Sequence, residues 1–212
     1  MKVLGFIGTE KYDVILYLSI FLKELGKKVA MVDLSEDRAL ATAVPFSAEV
    51  DTCYFRDSVF YNHVDAIEDI VEDVDYVLID FGFSVKHNLI AACDEIYLVT
   101  DTQFYHNKLL KNTVLAEDQA RYLLVRCFFD NKRINDVTIM DLKSLFITSR
   151  NTFSFHDYDA DYQNMIKCQN GLINFKRISP DLKEFLMIVV ATDFDEKTLR
   201  ATLKKLERTV KR

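Results

Sequence analysis

Six residues at a strand-to-helix junction decide what chemistry this chain can do: Gly8-Thr9-Glu10-Lys11-Tyr12-Asp13. In nucleotide-binding folds the turn before the first helix carries the reactive groups, because helix N-terminal amides favour anions. Two further carboxylates stand at strand ends: Asp33 closes VAMVD, and Asp80 closes VDYVLID. Such positions serve either a bound cation or the cap of a following helix.

The remaining reactive side chains are scattered. His63, His87, His106 and His156 form no HxxxH or HxH pair, so the expectation is no metal site. Ser58, Ser84 and Ser154 lack the glycine frame of a nucleophile elbow. The acidic groups Asp73-Asp75 and Asp157-Asp159-Asp161 lack EF-hand spacing. Solvated loops account for them.

The elements that must position the junction are legible. Val3, Leu4, Phe6 and Ile7 make a short apolar run ending at Gly8. Val14, Leu18, Phe21, Leu22 and Leu25 then recur at helical spacing, and Gly26 ends that helix. Val29 to Leu34 is a second buried strand. The unit is a right-handed βαβ crossover, the seed of a parallel sheet.

Further strands are predicted over 74–80, 94–100, 122–129 and 151–156, with a shorter one near 52–55. Between 35 and 61 the chain otherwise reads as loop. Helices are predicted over 66–71, 108–120, 137–146 and 162–168. Ser179-Pro180-Asp181 starts another, with Leu182, Phe185, Leu186, Val189 and Val190 on one face. Asp193 or Asp195 caps a last one, striped by Leu199, Leu203, Leu206 and Val210. Alternating strands and helices imply an α/β domain, a mostly parallel sheet with helices on both faces. A boundary near 177 divides residues 1–177 from a two-helix appendage, 178–212, packed on them.

Composition sets the outer limits. Half of the 212 residues are hydrophobic and 28% charged, as in globular chains. No apolar run reaches the ~18 residues of a membrane span, and no signal peptide is recognisable. Cys53, Cys93, Cys127 and Cys168 are far apart, which suits reduced thiols in a cytoplasmic protein. The net charge of −6 is uneven. Residues 196–212 hold seven Lys/Arg and two Glu, leaving about −11 on the rest. The body is therefore no bulk nucleic-acid binder.

The ordered pieces resemble the ParA/MinD group of P-loop ATPases. MKVLGFIG with LSIFLKELGKKVAMVDLS is similar to that family's phosphate-loop unit and second strand. DYVLIDFGF is similar to its Walker B strand, and CDEIYLVTDTQF to the strand and loop that follow. The run from Phe153 through HDYD to Gly171 resembles its late segment, with Asp157 near the family's late-loop aspartate. A fainter likeness is to TadZ/CpaE-type positioning ATPases. The resemblance implies a P-loop fold, ATP with Mg²⁺, a homodimer across the nucleotide face, and a role in a bacterial assembly.

Residue by residue, the carry-over is incomplete. A working loop reads GxxxxGK[ST]: glycines admit the phosphate, the lysine neutralises it, and the hydroxyl holds Mg²⁺. Lys11 falls on the invariant lysine, and Gly8, Thr9 and Lys11 are the candidate cofactor-binding residues. Tyr12 replaces the hydroxyl residue, Glu10 replaces a glycine, the loop is shortened, and no early lysine is present. Arg126-Cys127 stands where the family has a base-reading asparagine. Asp33 and Asp80 match the family's acidic positions and are the catalytic pair if the chain is an ATPase.

Glu10 and Asp13 are expected to face the phosphate site. At ~5 Å and an effective dielectric near 20, each repels a unit charge by about 3 kcal/mol before screening. The resulting expectation is a non-hydrolysing scaffold or positioning module, of secretion or pilus type, with no cofactor and no catalytic residue. It would bind protein partners, with Tyr12, Phe81, Phe83 and Phe104 as dimer contacts. One alternative is an ATPase with an atypical loop. Another is an adaptor that docks its basic last helix on membrane or nucleic acid.

Overall fold

In a computed structural model, residues 1–45, 50–70, 73–84, 88–101, 103–112, 120–128, 151–156 and 159–209 are described. The strands are β1 Lys2–Gly8, β2 Val29–Asp33, β3 Thr52–Phe55, β4 Ser58–Tyr61, β5 Tyr76–Asp80, β6 Glu95–Thr100, β7 Ala120–Phe128 and β8 Thr152–His156. The helices are α1 Tyr12–Glu24, α2 Ala39–Ala43, α3 Phe104–Lys111, α4 Asp159–Cys168, α5 Pro180–Val189 and α6 Glu196–Arg208.

The strands form one sheet in the order β3-β4-β2-β5-β1-β6-β7-β8. Neighbours run parallel except the β3–β4 hairpin. From β1 the chain moves outward through β2 to the hairpin, returns to β5, and then extends past β1 on its other side. That reversal opens a crevice at the carboxyl ends beside β1, where open α/β sheets place ligands.

Alternation along each strand splits the core in two. Leu4 and Phe6 face α1, α5 and α6, together with Met31, Leu78, Tyr97 and Leu124. Val3 and Ile7 face the opposite layer, with Val32, Ile79, Leu98 and Leu110 of α3. The first layer holds an aromatic ladder across adjacent strands. Phe6 stacks on Tyr97 at 5.1 Å, and Tyr97 on Tyr122 at 5.0 Å. Phe185 of α5 meets Tyr97, Phe153 and Phe155 edge-on at 5.3 to 5.6 Å. The helices beyond 177 thus share the core of the sheet.

The cap chemistry of those helices is as the sequence reads. Ser179 Oγ accepts from the Leu182 N–H at 3.1 Å, with Pro180 in the first turn. Asp195 Oδ1 accepts from the Thr198 N–H at 3.0 Å. Of the apolar stripe, Leu199, Leu203 and Leu206 are buried in the core, so these three are covered rather than offered to a membrane, and Val210 lies outside the described residues.

Three local expectations change. β4 and α2 occupy part of the stretch expected to be loop. The β3–β4 turn uses Arg56 and Asp57, both at positive φ (49° and 65°), without the glycine that would announce it. α3 begins at Phe104, four residues before the expected start. The expected helix at 66–71 is a single 3-10 turn, Ile67–Asp69. The helix expected over 137–146, and Asp157, lie outside the described residues. Among the described residues no helix is long and apolar enough to cross a membrane.

Phe185 is fully buried where three rings converge. Phe185→Ala is expected to cost about 3–5 kcal/mol of unfolding free energy, read by urea denaturation. Loss of under ~1 kcal/mol would show that the ladder does not need its cap.

Candidate functional site

The crevice beside β1 is lined by the turn the sequence singled out. Only Thr9 and Glu10 separate the end of β1 from Lys11, the N-cap of α1. Gly8 has φ +127°, and a Cβ there would lie 1.9 Å from the Val99 carbonyl oxygen. Its N–H donates to the Gly82 carbonyl at 2.6 Å, and the Thr9 N–H donates to the Val99 carbonyl at 2.9 Å. The first amides of the turn are thus spent on the loop after β5 and on the end of β6.

The Lys11 side chain turns back under this turn. Its Nζ lies 2.7 Å from Asp80 Oδ1, and both side chains are almost fully buried (4% and 1% exposed). Nζ also donates to the Gly8 carbonyl at 3.0 Å. Asp80 Oδ1 accepts a further bond from the Gly82 N–H at 2.8 Å. Burial raises the Asp80 carboxyl above the ordinary aspartate range, and Asp33 adds to this. The Lys11 charge and the hydrogen bonds from Lys11 and Gly82 pull the other way.

The other residues go to structural partners. Tyr12 is buried, and its hydroxyl donates to the Met165 carbonyl of α4 at 2.9 Å. Asp33 Oδ1 accepts from the Ser35 N–H at 2.9 Å and from Ser35 Oγ at 2.5 Å. Its Oδ2 accepts from the Ala41 N–H at 2.7 Å, fastening α2 to the end of β2. The structure therefore brings Gly8, Lys11 and Asp80 together, with Asp33 beside Asp80 in register. Thr9 is held by its backbone.

Two expectations are corrected. Asp13 does not confront the crevice with an uncompensated charge. Arg126 of β7 takes both its oxygens, at 2.7 and 2.9 Å, and also donates to the Glu10 carbonyl at 2.8 Å. Asp13 is 1% exposed, so a cation was required. The sequence signal was an arginine inside an apolar strand, but nothing local names a partner 113 residues away. Nor can Tyr12 and Phe81 serve as dimer contacts, since they are 2% and 0% exposed. Phe104 is 67% exposed and Phe83 is half-buried.

These residues do not fit a magnesium triphosphate. The link is two residues long, its first amides are engaged, the lysine is neutralised by Asp80, and the phenol is anchored in α4. Glycine at 8 does not make a cradle, because the space a Cβ would take is already filled by the Val99 carbonyl. Among the described residues no group of three His, Cys, Asp or Glu side chains is placed to hold a metal.

No protein-family profile matches the sequence, and no curated protein matches it. Solved structures do. The chain is similar to a plasmid partition protein from Borrelia burgdorferi bound to AMPPNP (TM-score 0.58, 12% identity, 96% of this chain and 98% of that one). It is similar to MinD in the MinC:MinD cell division complex of Aquifex aeolicus (TM-score 0.57, 11% identity, 100% and 99%). It is also similar to apo McdA from Cyanthece (TM-score 0.58, 12% identity, 97% and 99%). The fold is that of the ParA/MinD P-loop ATPases.

A double-mutant cycle tests the buried pair. Lys11→Met is expected to lose about 3–5 kcal/mol, because it strands a buried carboxylate. Adding Asp80→Asn should recover much of that loss. A carboxyl with a raised folded pKa contributes stability that is present below its unfolded pKa and lost as pH rises through the folded one. Lys11→Met removes the lowering influence. Its unfolding free energy, from urea titrations at several pH values, should therefore fall from acid to neutral pH, a slope that Asp80→Asn abolishes. Simple additivity would mean that the two groups do not interact.

The Arg126 clamp gives a second test. Arg126→Ala should cost about 3–5 kcal/mol, because it leaves Asp13 buried and unpaired. Pairing it with Asp13→Asn should return most of that. Equal losses for the single and double variants would mean that packing, not charge, is what Arg126 contributes.

Proposed function

We propose that this chain keeps the ParA/MinD fold without its ATP chemistry and serves as a scaffold or positioning module in a bacterial assembly. The observation that carries this reading is the Lys11–Asp80 pair. The lysine that would neutralise phosphate and the aspartate that would orient a metal instead neutralise each other, 2.7 Å apart and out of water. Gly8, Thr9 and Lys11 keep the positions of a phosphate site but serve to close it.

The similar structures include a partition protein, a cell-division complex and McdA. A plasmid partition protein and a cell-division complex are named for assemblies of the bacterial cell, which supports reading this chain as a module of such an assembly. A secretion- or pilus-type assembly fits that reading. Protein partners follow, either a different protein or a second copy across the carboxyl-end face of the sheet.

The rival reading is an ATPase with an atypical loop in which Lys11, Asp33 and Asp80 still act. It would have to break a buried ion pair to admit its nucleotide. Calorimetric titration with ATP and Mg²⁺ separates the two. The expected result is no saturable heat at micromolar to submillimolar nucleotide. Micromolar binding that disappears in Lys11→Ala would overturn the scaffold reading.

A further inference from the structure

At the carboxyl end of the sheet the loops after β1 and β6, strands β7 and β8, and helix α4 enclose a cleft of about 220 Å³. Its floor is Phe155 and Met165, both buried, and Tyr162 forms a wall that is 59% exposed. Tyr162, Met165 and Ile166 share one side of α4 by helical spacing. Beside the cleft, Phe104 and Tyr105 follow the lining residue Gln103 and are 67% and 63% exposed. Phe104, Tyr105, Tyr162 and Ile166 are all exposed, Tyr162 in the lining itself and the other three within two residues of a lining residue along the chain. Aromatic clusters of this kind anchor protein interfaces.

Size and charge together select the occupant. Small-molecule sites span roughly 300–1,000 Å³, so this cleft takes a large side chain rather than a nucleotide. Among the described residues Glu10, Asp101 and Asp161 line it; Asp101 lies 2.9 Å from His106, Asp161 accepts from the Ser179 N–H at 2.7 Å, Glu10 is exposed, and the lining cation Arg126 is held on Asp13. The other lining base, His156, is 2.8 Å from Asp181. The surplus in the cleft is therefore negative. A symmetric dimer with this patch at its two-fold axis would bring the same three carboxylates of both copies together, since an isologous interface repeats one patch on both sides. Like charges placed opposite each other in an interface are costly.

We propose that this face docks a basic segment of a different protein, with an arginine or lysine side chain entering the cleft. The cation lies against the Tyr162 ring and pairs with Glu10, and the segment's apolar residues cover Phe104 and Tyr105. The proposal goes beyond the scaffold reading by naming the chemistry of the partner. It depends on that reading only in taking a protein as the ligand, and nucleotide titration tests that reading separately.

The probe is an arginine–alanine dodecapeptide titrated calorimetrically into the full chain at physiological salt, with a glutamate–alanine peptide as comparison. Tyr162→Ala and Glu10→Gln change exposed side chains and should each weaken binding at least tenfold. Asp73→Asn removes the same charge from the far end of the sheet, where the side chain is 95% exposed, and should leave binding unchanged. No binding of the arginine peptide overturns the proposal. So does equal binding of the glutamate peptide, or equal weakening by Asp73→Asn, which would mean bulk charge. Sedimentation showing a dimer that Tyr162→Ala dissolves would assign the face to a second copy and overturn it as well.

Discussion

The buried ion pair between Lys11 and Asp80 constrains everything around it. Moving two charges out of water costs several kcal/mol per ion, and mutual attraction offsets this only when the geometry is good and the remaining valences are filled. Here the Gly8 carbonyl and the Gly82 N–H fill them. The turn must therefore be short enough to bring Lys11 under β1, and β5 must end level with it. Register supplies the second condition, since Phe6 pairs with Asp80. A longer, glycine-rich loop would lift the lysine away and leave the aspartate stranded.

Most of the architecture was legible in the sequence. The βαβ unit, the buried strands ending at Asp80 and Thr100, and the caps at Ser179 and Asp195 all announce themselves through apolar period and cap chemistry. What escaped was either very local or very distant. The β3–β4 hairpin turns on Arg56 and Asp57, both at positive φ; aspartate suits that region, but no glycine or asparagine marks the turn and arginine there is unannounced. The Asp13–Arg126 clamp joins elements that only the finished sheet brings together. The sequence shows which residues are charged at the junction but not which charges are already satisfied.

That distinction bears on how a nucleotide-binding fold is read. Acidic substitutions in the turn suggested repulsion as the obstacle to phosphate. The structure removes the repulsion for Asp13, which Arg126 neutralises, leaves it for Glu10, and adds occupancy: the Gly8 and Thr9 amides, the Lys11 ammonium and the Tyr12 phenol each already have a partner within the protein. Occupancy is the stronger constraint, because salt can screen a repulsion but cannot unmake a set of short hydrogen bonds.

The aromatic ladder has a consequence for the way the chain reaches its native state. Phe6 lies in β1, whereas Phe185 is synthesised only after β8. Rings on β1, β6, β7 and β8 thus assemble before the one that closes over them exists. During translation this sheet face presents a ribbon of uncovered aromatic carbon, an adhesive surface that a chaperone or a neighbouring nascent chain can find first. The molecule's vulnerable moment is therefore late in its synthesis, when the sheet is built and its lid has not yet left the ribosome.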